Sequence, residues 1–236
     1  MRWIPNALTL GNAMMGCLAI SLLADMHLEA ITACMIAALI MDVFDGFTAR
    51  KLGIDGPLGI QLDSLADAIT FGALPALLWM QVGLTFFPFW FAALGLAPAL
   101  ASVYRLARFN LGLAGAKGFV GLPTPANALF LLGVVWFTMN VQASEQPYAQ
   151  FADGPWAYVC FAAITLFSAY SLNSHWPVMS VKDMPKGGPA LWFRLLFIAL
   201  SVLLFIIFRF EALAFIIPLL LIFSALEKRL FKITAS

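Results

Sequence analysis

The sequence predicts an all-α integral membrane protein with about eight transmembrane helices. Hydrophobic residues make up 63% of the 236-residue chain and charged residues 11%, whereas a soluble domain carries about 25% charged residues. The apolar residues also form runs long enough to cross a bilayer, which takes about 20 residues of helix. The few basic residues lie at alternate ends of these runs, as in proteins that cross the membrane repeatedly.

Eight apolar runs, separated by charges, prolines and glycines, are the predicted spans. They cover roughly residues 7–24, 28–49, 60–82, 86–108, 125–142, 155–173, 190–208 and 211–227. The first run follows Arg2 without a convincing cleavage site, so we expect it to be retained as the first helix. The chain is expected to form one membrane-embedded catalytic domain over residues 1–236, with a core of about 1–175 and two further helices at 190–227.

The distribution of basic residues predicts the orientation of these spans. Eight spans place both termini on one side of the membrane, and 12 of the 13 Lys and Arg residues fall on that side, with Arg209 alone on the other. Since cytoplasmic loops are enriched in Lys and Arg, both termini and the loops near Arg50, at 105–124 and at 174–189 are predicted to be cytoplasmic. We therefore expect a multi-pass protein of the cell (inner) membrane. The net charge of +1 gives no support for a nucleic-acid partner.

Two pairs of aspartates lie at the cytoplasmic ends of the second and third predicted spans. Asp42 and Asp45 are three residues apart, and Asp63 and Asp67 are four apart, so each pair shares one helical face. The segment between the two spans is rich in glycine and proline, which favours a turn. The two helices are thus expected to be antiparallel neighbours with all four carboxylates at similar depth.

The energetic cost of this arrangement indicates a bound cation. One charged residue at the centre of a span costs about 2.5–3.5 kcal/mol, so four cost on the order of 10 kcal/mol, and less near the interface. Arg50 is the only cation close to them in the motif. Carboxylate oxygens suit Mg²⁺, Mn²⁺ or Ca²⁺. Gly46 and Ala49 leave a bare helical face beside the carboxylates, which suits either a flat ligand or close helix packing.

These residues resemble the signature of the CDP-alcohol phosphotransferase family. The matching positions are Asp42, Asp45, Gly46, Ala49, Arg50, Gly59, Asp63 and Asp67. The resemblance implies a core of six helices and a transferase that moves a substituted phosphate from a CDP-linked lipid to a hydroxyl group and releases CMP. It also implies two divalent ions, Mg²⁺ or Mn²⁺, held by Asp42, Asp45, Asp63 and Asp67, with Asp67 as the base. Contacts to the nucleotide and its diphosphate are expected from Asn6, Thr9, Gly46, Ala49, Arg50 and Gly59.

Further segments resemble the phosphatidylserine synthases of this family. They are residues 5–12, 63–76, 105–110 and 121–126. This likeness implies CDP-diacylglycerol as the donor, L-serine as the acceptor, a role in phospholipid biosynthesis and a homodimer among membrane lipids. Thr70 departs mildly from the expected small serine.

The residues that would bind the acceptor are less sharply defined. An arginine can grip the carboxylate of serine with two hydrogen bonds, and Arg105 and Arg108 are candidates, although both equally suit a topological role. Asn12 and Asn110 are further candidates, with hydrogen-bonded packing as the alternative. Lys117 and Lys182 could attract the diphosphate or only anionic lipids; Lys117 lies in a predicted cytoplasmic loop.

Two alternatives to serine transfer remain at this stage. The first is the same reaction with inositol, glycerol 3-phosphate or choline as the acceptor. The second is a metal-coupled or proton-coupled transporter that uses the same carboxylates. Carboxylates at the ends of spans, and not at the midplane, favour an interfacial enzyme.

Overall fold

The computed structural model describes residues 3–53, 56–112, 121–143, 154–176, 178–179 and 187–231. Within these ranges the chain folds into helices and short connections without a strand, so the predicted all-α class is confirmed. The helices are α1 (Trp3–Ser21), α2 (Leu28–Leu52), α3 (Pro57–Asp67), α4 (Leu74–Phe86), α5 (Phe89–Ala92), α6 (Ala97–Asn110), α7 (Thr124–Ala143), α8 (Pro155–Asn173), α9 (Pro189–Phe208) and α10 (Leu213–Phe231).

Three of the connections are themselves helical. A π-helical turn, Ala68–Ala73, joins α3 to α4, and 3₁₀ turns at Ala93–Leu96 and Arg209–Ala212 join α5 to α6 and α9 to α10. The predicted span at 86–108 is not one regular helix. Pro88 separates it from α4, and α5 forms only one turn before the 3₁₀ turn that leads into α6. Pro57 lies at the start of α3, where its missing N–H has no intrahelical partner to lose.

Six stretches of the described chain are long and apolar enough to cross a membrane. They are Leu28–Leu52, Pro57–Phe86, Phe89–Asn110, Thr124–Val141, Pro155–Asn173 and Pro189–Leu230. The last contains both α9 and α10, and therefore two of the eight predicted spans. The first predicted span lies in α1, which is not among the six and carries the polar residues Asn6, Thr9 and Asn12. The protein is thus a multi-pass membrane protein, and the two counts differ at α1 and at the α9–α10 pair.

Two tryptophan side chains in the apolar interior form hydrogen bonds between helices. The indole nitrogen of Trp79 donates to Thr165 Oγ1 on α8 over 2.9 Å, and that of Trp136 donates to Thr32 Oγ1 on α2 over 2.9 Å. Buried Trp needs such a partner, and hydroxyl groups commonly supply it between membrane helices. These bonds fix how α4 and α7 are rotated against their neighbours.

The two C-terminal helices are joined by a buried ion pair, and α10 packs closely on α7. Arg194 Nε on α9 lies 2.6 Å from Glu227 Oε1 on α10. At the start of α10, Gly133 of α7 lies against the backbone at Leu213 and Ala214. The absence of a side chain at position 133 is what allows this close approach.

Replacement of Gly133 by alanine is expected to lower the stability of the protein by about 1–3 kcal/mol, the usual range for overpacking a tight contact. The added Cβ would overlap the Ala214 nitrogen and lie 2.7 Å from Leu213 Cβ. Thermal unfolding in detergent measures the effect. Gly187→Ala is the matched control, since a Cβ at Gly187 meets nothing within 4 Å. Equal midpoints for the two variants would contradict the close approach of α7 and α10.

Candidate active site

The four aspartates meet where α2 ends and α3 begins. Gly53 caps α2 in the left-handed conformation with φ +62°, and α3 starts at Pro57. Among the described helices, α1 packs along both α2 and α3, whereas α2 and α3 make few close backbone contacts with each other. The predicted neighbours are thus held together through α1, and the aspartate side chains point into the space left between them.

Three of the four carboxylates form one cluster. Asp42, Asp63 and Asp67 each offer one oxygen, and these oxygens all lie within 4.8 Å of one another. Asp67 is the most buried of these three, with 9% of its surface exposed, and its Oδ1 atom has no hydrogen-bond partner among the described residues. Three hard oxygen donors at this spacing match what a divalent cation requires.

Asp45 is held slightly apart from this cluster by α1. It is 5% exposed, and the Thr9 hydroxyl donates a hydrogen bond to its Oδ2 over 2.6 Å. Asp45 is not part of the group of three whose oxygens lie within 4.8 Å. The structure therefore divides the predicted metal ligands into a cluster of three and a fourth carboxylate oriented by Thr9.

A pocket of about 160 Å³ opens beside these carboxylates. Its lining contains all six residues for which the sequence predicted nucleotide contacts, namely Asn6, Thr9, Gly46, Ala49, Arg50 and Gly59. Asp45 and Asp63 also line it, so that the pocket shares two walls with the acidic site. A Cβ on Gly46 would lie 3.4 Å from Arg50 Nη1, which places the guanidinium over the bare face of α2.

The structure separates the two candidate arginines. The Arg105 Nε donates to the carbonyl of Leu172 at the end of α8 over 3.1 Å, and its guanidinium interacts electrostatically with Asp67. The Arg108 guanidinium lies over the ring of Tyr104 at 5.8 Å, and Tyr104 is 60% exposed. Arg105 therefore faces the acidic site, and Arg108 packs on an exposed ring of its own helix.

The two candidate asparagines also differ. Asn110 accepts a hydrogen bond from Ser64 Oγ over 2.9 Å and donates to Gln61 Oε1 over 3.3 Å, so its amide ties the end of α6 to α3. Asn12 is fully buried, and neither of its side-chain atoms has a hydrogen-bond partner among the described residues. Lys117 and Lys182 lie outside the described residues.

Sequence reasoning missed the groups that α6 and α8 bring to this region. Ser102 is fully buried on α6, its hydroxyl has no hydrogen-bond partner in the described part of the chain, and its Cβ lies 3.2 Å from where a Cβ on Gly72 would be. Asn173 Nδ2 donates to the carbonyl of Ala101 over 2.9 Å. A polar residue in an apolar run was the available signal at both positions.

Comparison with known proteins defines the class of protein to which this fold and site belong. The profile of the CDP-alcohol phosphatidyltransferase family matches residues 2–167. The match includes α1, all four aspartates, the whole pocket lining and Arg105. The chain belongs to this family of phosphotransferases, and the resemblance seen in the sequence is confirmed.

Individual relatives point further within the family. A CDP-diacylglycerol–serine O-phosphatidyltransferase of Bacillus subtilis is 34% identical over 140 residues, 59% of this chain and 78% of that protein. An archaetidylserine synthase of Methanothermobacter thermautotrophicus is 38% identical over 129 residues, 53% of this chain and 54% of that protein. A CDP-diacylglycerol–serine O-phosphatidyltransferase of Mycobacterium bovis is 34% identical over 165 residues, 67% of this chain and 54% of that protein. The chain thus spans about half the length of the last two.

Proposed function

We propose that this protein transfers the phosphatidyl group of CDP-diacylglycerol to the hydroxyl of L-serine, producing phosphatidylserine and CMP. The observation that carries the proposal is the shared wall between the acidic cluster and the pocket of six predicted nucleotide contacts. A CDP-linked lipid needs such a pair, since its nucleotide and its reacting diphosphate are directly connected. The names of the relatives favour serine as the acceptor.

The acidic residues fit a divalent metal. The three clustered oxygens are hard ligands, and the unpartnered Oδ1 of buried Asp67 is a group that a cation would satisfy. We propose that Asp42, Asp45, Asp63 and Asp67 hold two ions, Mg²⁺ or Mn²⁺. When bound, such ions neutralise charge on the diphosphate and on the departing oxygen.

The residues of the chain divide the remaining work. Arg50 and Asn6 line the pocket and would bind the CMP portion, while Gly46 lets that group approach the α2 backbone. Asp67 would accept the proton of the serine hydroxyl, whose oxygen forms a bond to the phosphorus on the lipid side. The bond from that phosphorus to the CMP oxygen breaks, and CMP leaves. The protonated carboxyl of Asp67 then returns its proton to solvent.

Arg105 is the group best placed for the carboxylate of the acceptor. Its Nε is held by the Leu172 carbonyl. Its terminal guanidinium nitrogens form no hydrogen bond with the described residues and could bind a carboxylate. Its electrostatic interaction with Asp67 supports a role for Arg105 near the proposed base. Arg108 would then serve the orientation of the protein in the membrane. We propose that the termini and this site face the cytoplasm, where serine is dissolved, and that the protein is a homodimer.

The test is CMP release by the purified protein in detergent. CDP-diacylglycerol and Mg²⁺ or Mn²⁺ are supplied with L-serine, inositol, glycerol 3-phosphate or choline in separate reactions. We expect serine alone to raise CMP release, at least about tenfold over the acceptor-free rate, because Arg105 selects an acceptor with a carboxylate. Stimulation by one of the others would replace serine and keep the reaction type. No release with any acceptor would contradict the transferase activity and would leave the transporter reading of the carboxylates.

A further inference from the structure

We propose that Asn12 binds the hydroxyl of the acceptor and directs it at Asp67. This inference rests on the transferase activity proposed above and adds a substrate contact from α1 to it. The starting observation is that Asn12 is fully buried while Oδ1 and Nδ2 of its amide both lack a hydrogen-bond partner among the described residues. Buried amides are nearly always hydrogen-bonded, so an orphaned one indicates a group that the bound state supplies.

Contacts along α1 place Asn12 at the depth of Asp67. Near the start of the helix, Asn6 Oδ1 lies 3.7 Å from where a Cβ on Gly59 would be. Further along, Thr70 Oγ1 donates to the backbone carbonyl of Asn12 over 3.1 Å. Helices α1 and α3 therefore run in the same direction, and Asn12 lies beside the π-helical turn that follows Asp67. A helical side chain leans towards the N-terminus of its helix, and this brings the amide from the level of Thr70 back towards that of Asp67.

The helical face of Asn12 points it into the space between α2 and α3. Thr9, three residues earlier, contacts Asp45 of α2. Gly16, four residues later, packs against Thr70, whose Cα would lie 3.1 Å from a Cβ there. Gly11, the residue before Asn12, lies against Met41 of α2, since a Cβ there would be 3.0 Å from the Met41 sulfur. At 3.6 residues per turn, Asn12 points between the directions of Gly11 and Gly16, and it is absent from the lining of the nucleotide pocket. Its amide thus faces the acidic site from the side away from the nucleotide.

The unpartnered atoms match a hydroxyl group better than a metal ion. An alcohol oxygen can accept a hydrogen bond from Asn12 Nδ2 and donate its own proton to Asp67 Oδ1, which is also unpartnered. One hydroxyl would therefore satisfy a donor and an acceptor at once and would hold the proton on the path to Asp67. A metal ion would use only the amide oxygen and leave the NH₂ group of Asn12 without a partner.

Two substitutions of Asn12 distinguish binding of a hydroxyl group from binding of a metal ion. Asn12→Leu keeps the approximate size and removes both polar atoms, whereas Asn12→Asp keeps an oxygen ligand and removes the donor. We expect both to raise the KM for serine about tenfold, the loss of one ordinary hydrogen bond, with the KM for CDP-diacylglycerol within about twofold of the wild type. Asn140→Leu is the control, because Asn140 bonds Glu211 at the far end of α7.

Thermal unfolding without substrates supplies a readout that is independent of turnover. Because the amide has no partner to lose among the described residues, Asn12→Leu should unfold at the wild-type temperature or above it. The shift on adding metal with CDP-diacylglycerol should persist. A lowered midpoint with an unchanged KM for serine would show a structural amide and overturn the proposal. If Asn12→Asp had wild-type kinetics while Asn12→Leu was impaired, Asn12 would be a metal ligand, and the proposal would also be overturned. If another alcohol proves to be the acceptor, the proposal of serine transfer is wrong. The KM of the Asn12 variants for that alcohol, compared with the wild type, still decides the role of Asn12.

Discussion

Asp67→Asn is expected to lower CMP release by about 10²-fold or more, the usual contribution of a positioned general base. Asparagine has nearly the shape of aspartate and can still offer an oxygen to a cation, but it cannot accept a proton. The nucleotide pocket does not include Asp67, so binding of CDP-diacylglycerol in the presence of metal should remain. The variant thus separates chemistry from donor binding.

The measurement combines single-turnover CMP release with a thermal shift on adding CDP-diacylglycerol and metal. Asp25→Asn is the matched control, since Asp25 is exposed in the turn that precedes α2, far along the helix from Asp42. It should behave as the wild type in both assays. Turnover of Asp67→Asn at the wild-type rate would remove Asp67 as the base. Loss of both turnover and the thermal shift would instead make Asp67 chiefly a ligand of the metal that binds the donor.

The sequence could predict the acidic site because its information is local. A spacing of three or four residues fixes which side chains share a helical face, and this holds for Asp42 with Asp45 and for Asp63 with Asp67. Membrane insertion makes four carboxylates costly enough to demand a cation. The resemblance to the family added Asn6 and Thr9 of α1, and the pocket lining contains all six residues that were predicted to contact the nucleotide.

The acceptor side could not be predicted because it depends on how helices are rotated against one another. Arg105 and Arg108 are indistinguishable by spacing, and the choice between them is made by the Leu172 carbonyl on α8, which accepts from Arg105. Ser102 packs at Gly72 inside the π-helical turn. Such turns are rare and frequently lie at functional sites, and no pattern in residues 68–73 announces one.

The ion pair between the two C-terminal helices could not be predicted from the sequence either. Arg194 entered the sequence argument only as one of the basic residues on the cytoplasmic side. In the structure it pairs with Glu227, 33 residues away, and both are buried. Two charges that neutralise each other inside an apolar hairpin leave no signal in hydropathy or in periodicity, although each alone is costly there.

Removal of divalent metal is expected to abolish CMP release and to lower the unfolding temperature of the protein. The oxygens of Asp42, Asp63 and Asp67 lie within 4.8 Å of one another, so a bound cation would both neutralise the cluster and stabilise the fold. A ligand present at 100 times its dissociation constant stabilises the folded state by about 2.7 kcal/mol. Thermal unfolding with EDTA and with an excess of Mg²⁺ or Mn²⁺ measures this gain without any substrate.

Asp63→Asn should affect stability differently in EDTA and in excess metal. In EDTA the variant should unfold at the wild-type temperature or above, because one of the repelling carboxylates is gone. With metal it should gain less than the wild type, because one charged ligand is gone, and Asp25→Asn should gain as much as the wild type. A merely structural Asp63 would shift both conditions equally. Full activity after exhaustive chelation, or equal metal-induced shifts in Asp63→Asn and the wild type, would contradict the proposed metal site, whose cation would stabilise charge on the attacking and leaving oxygens.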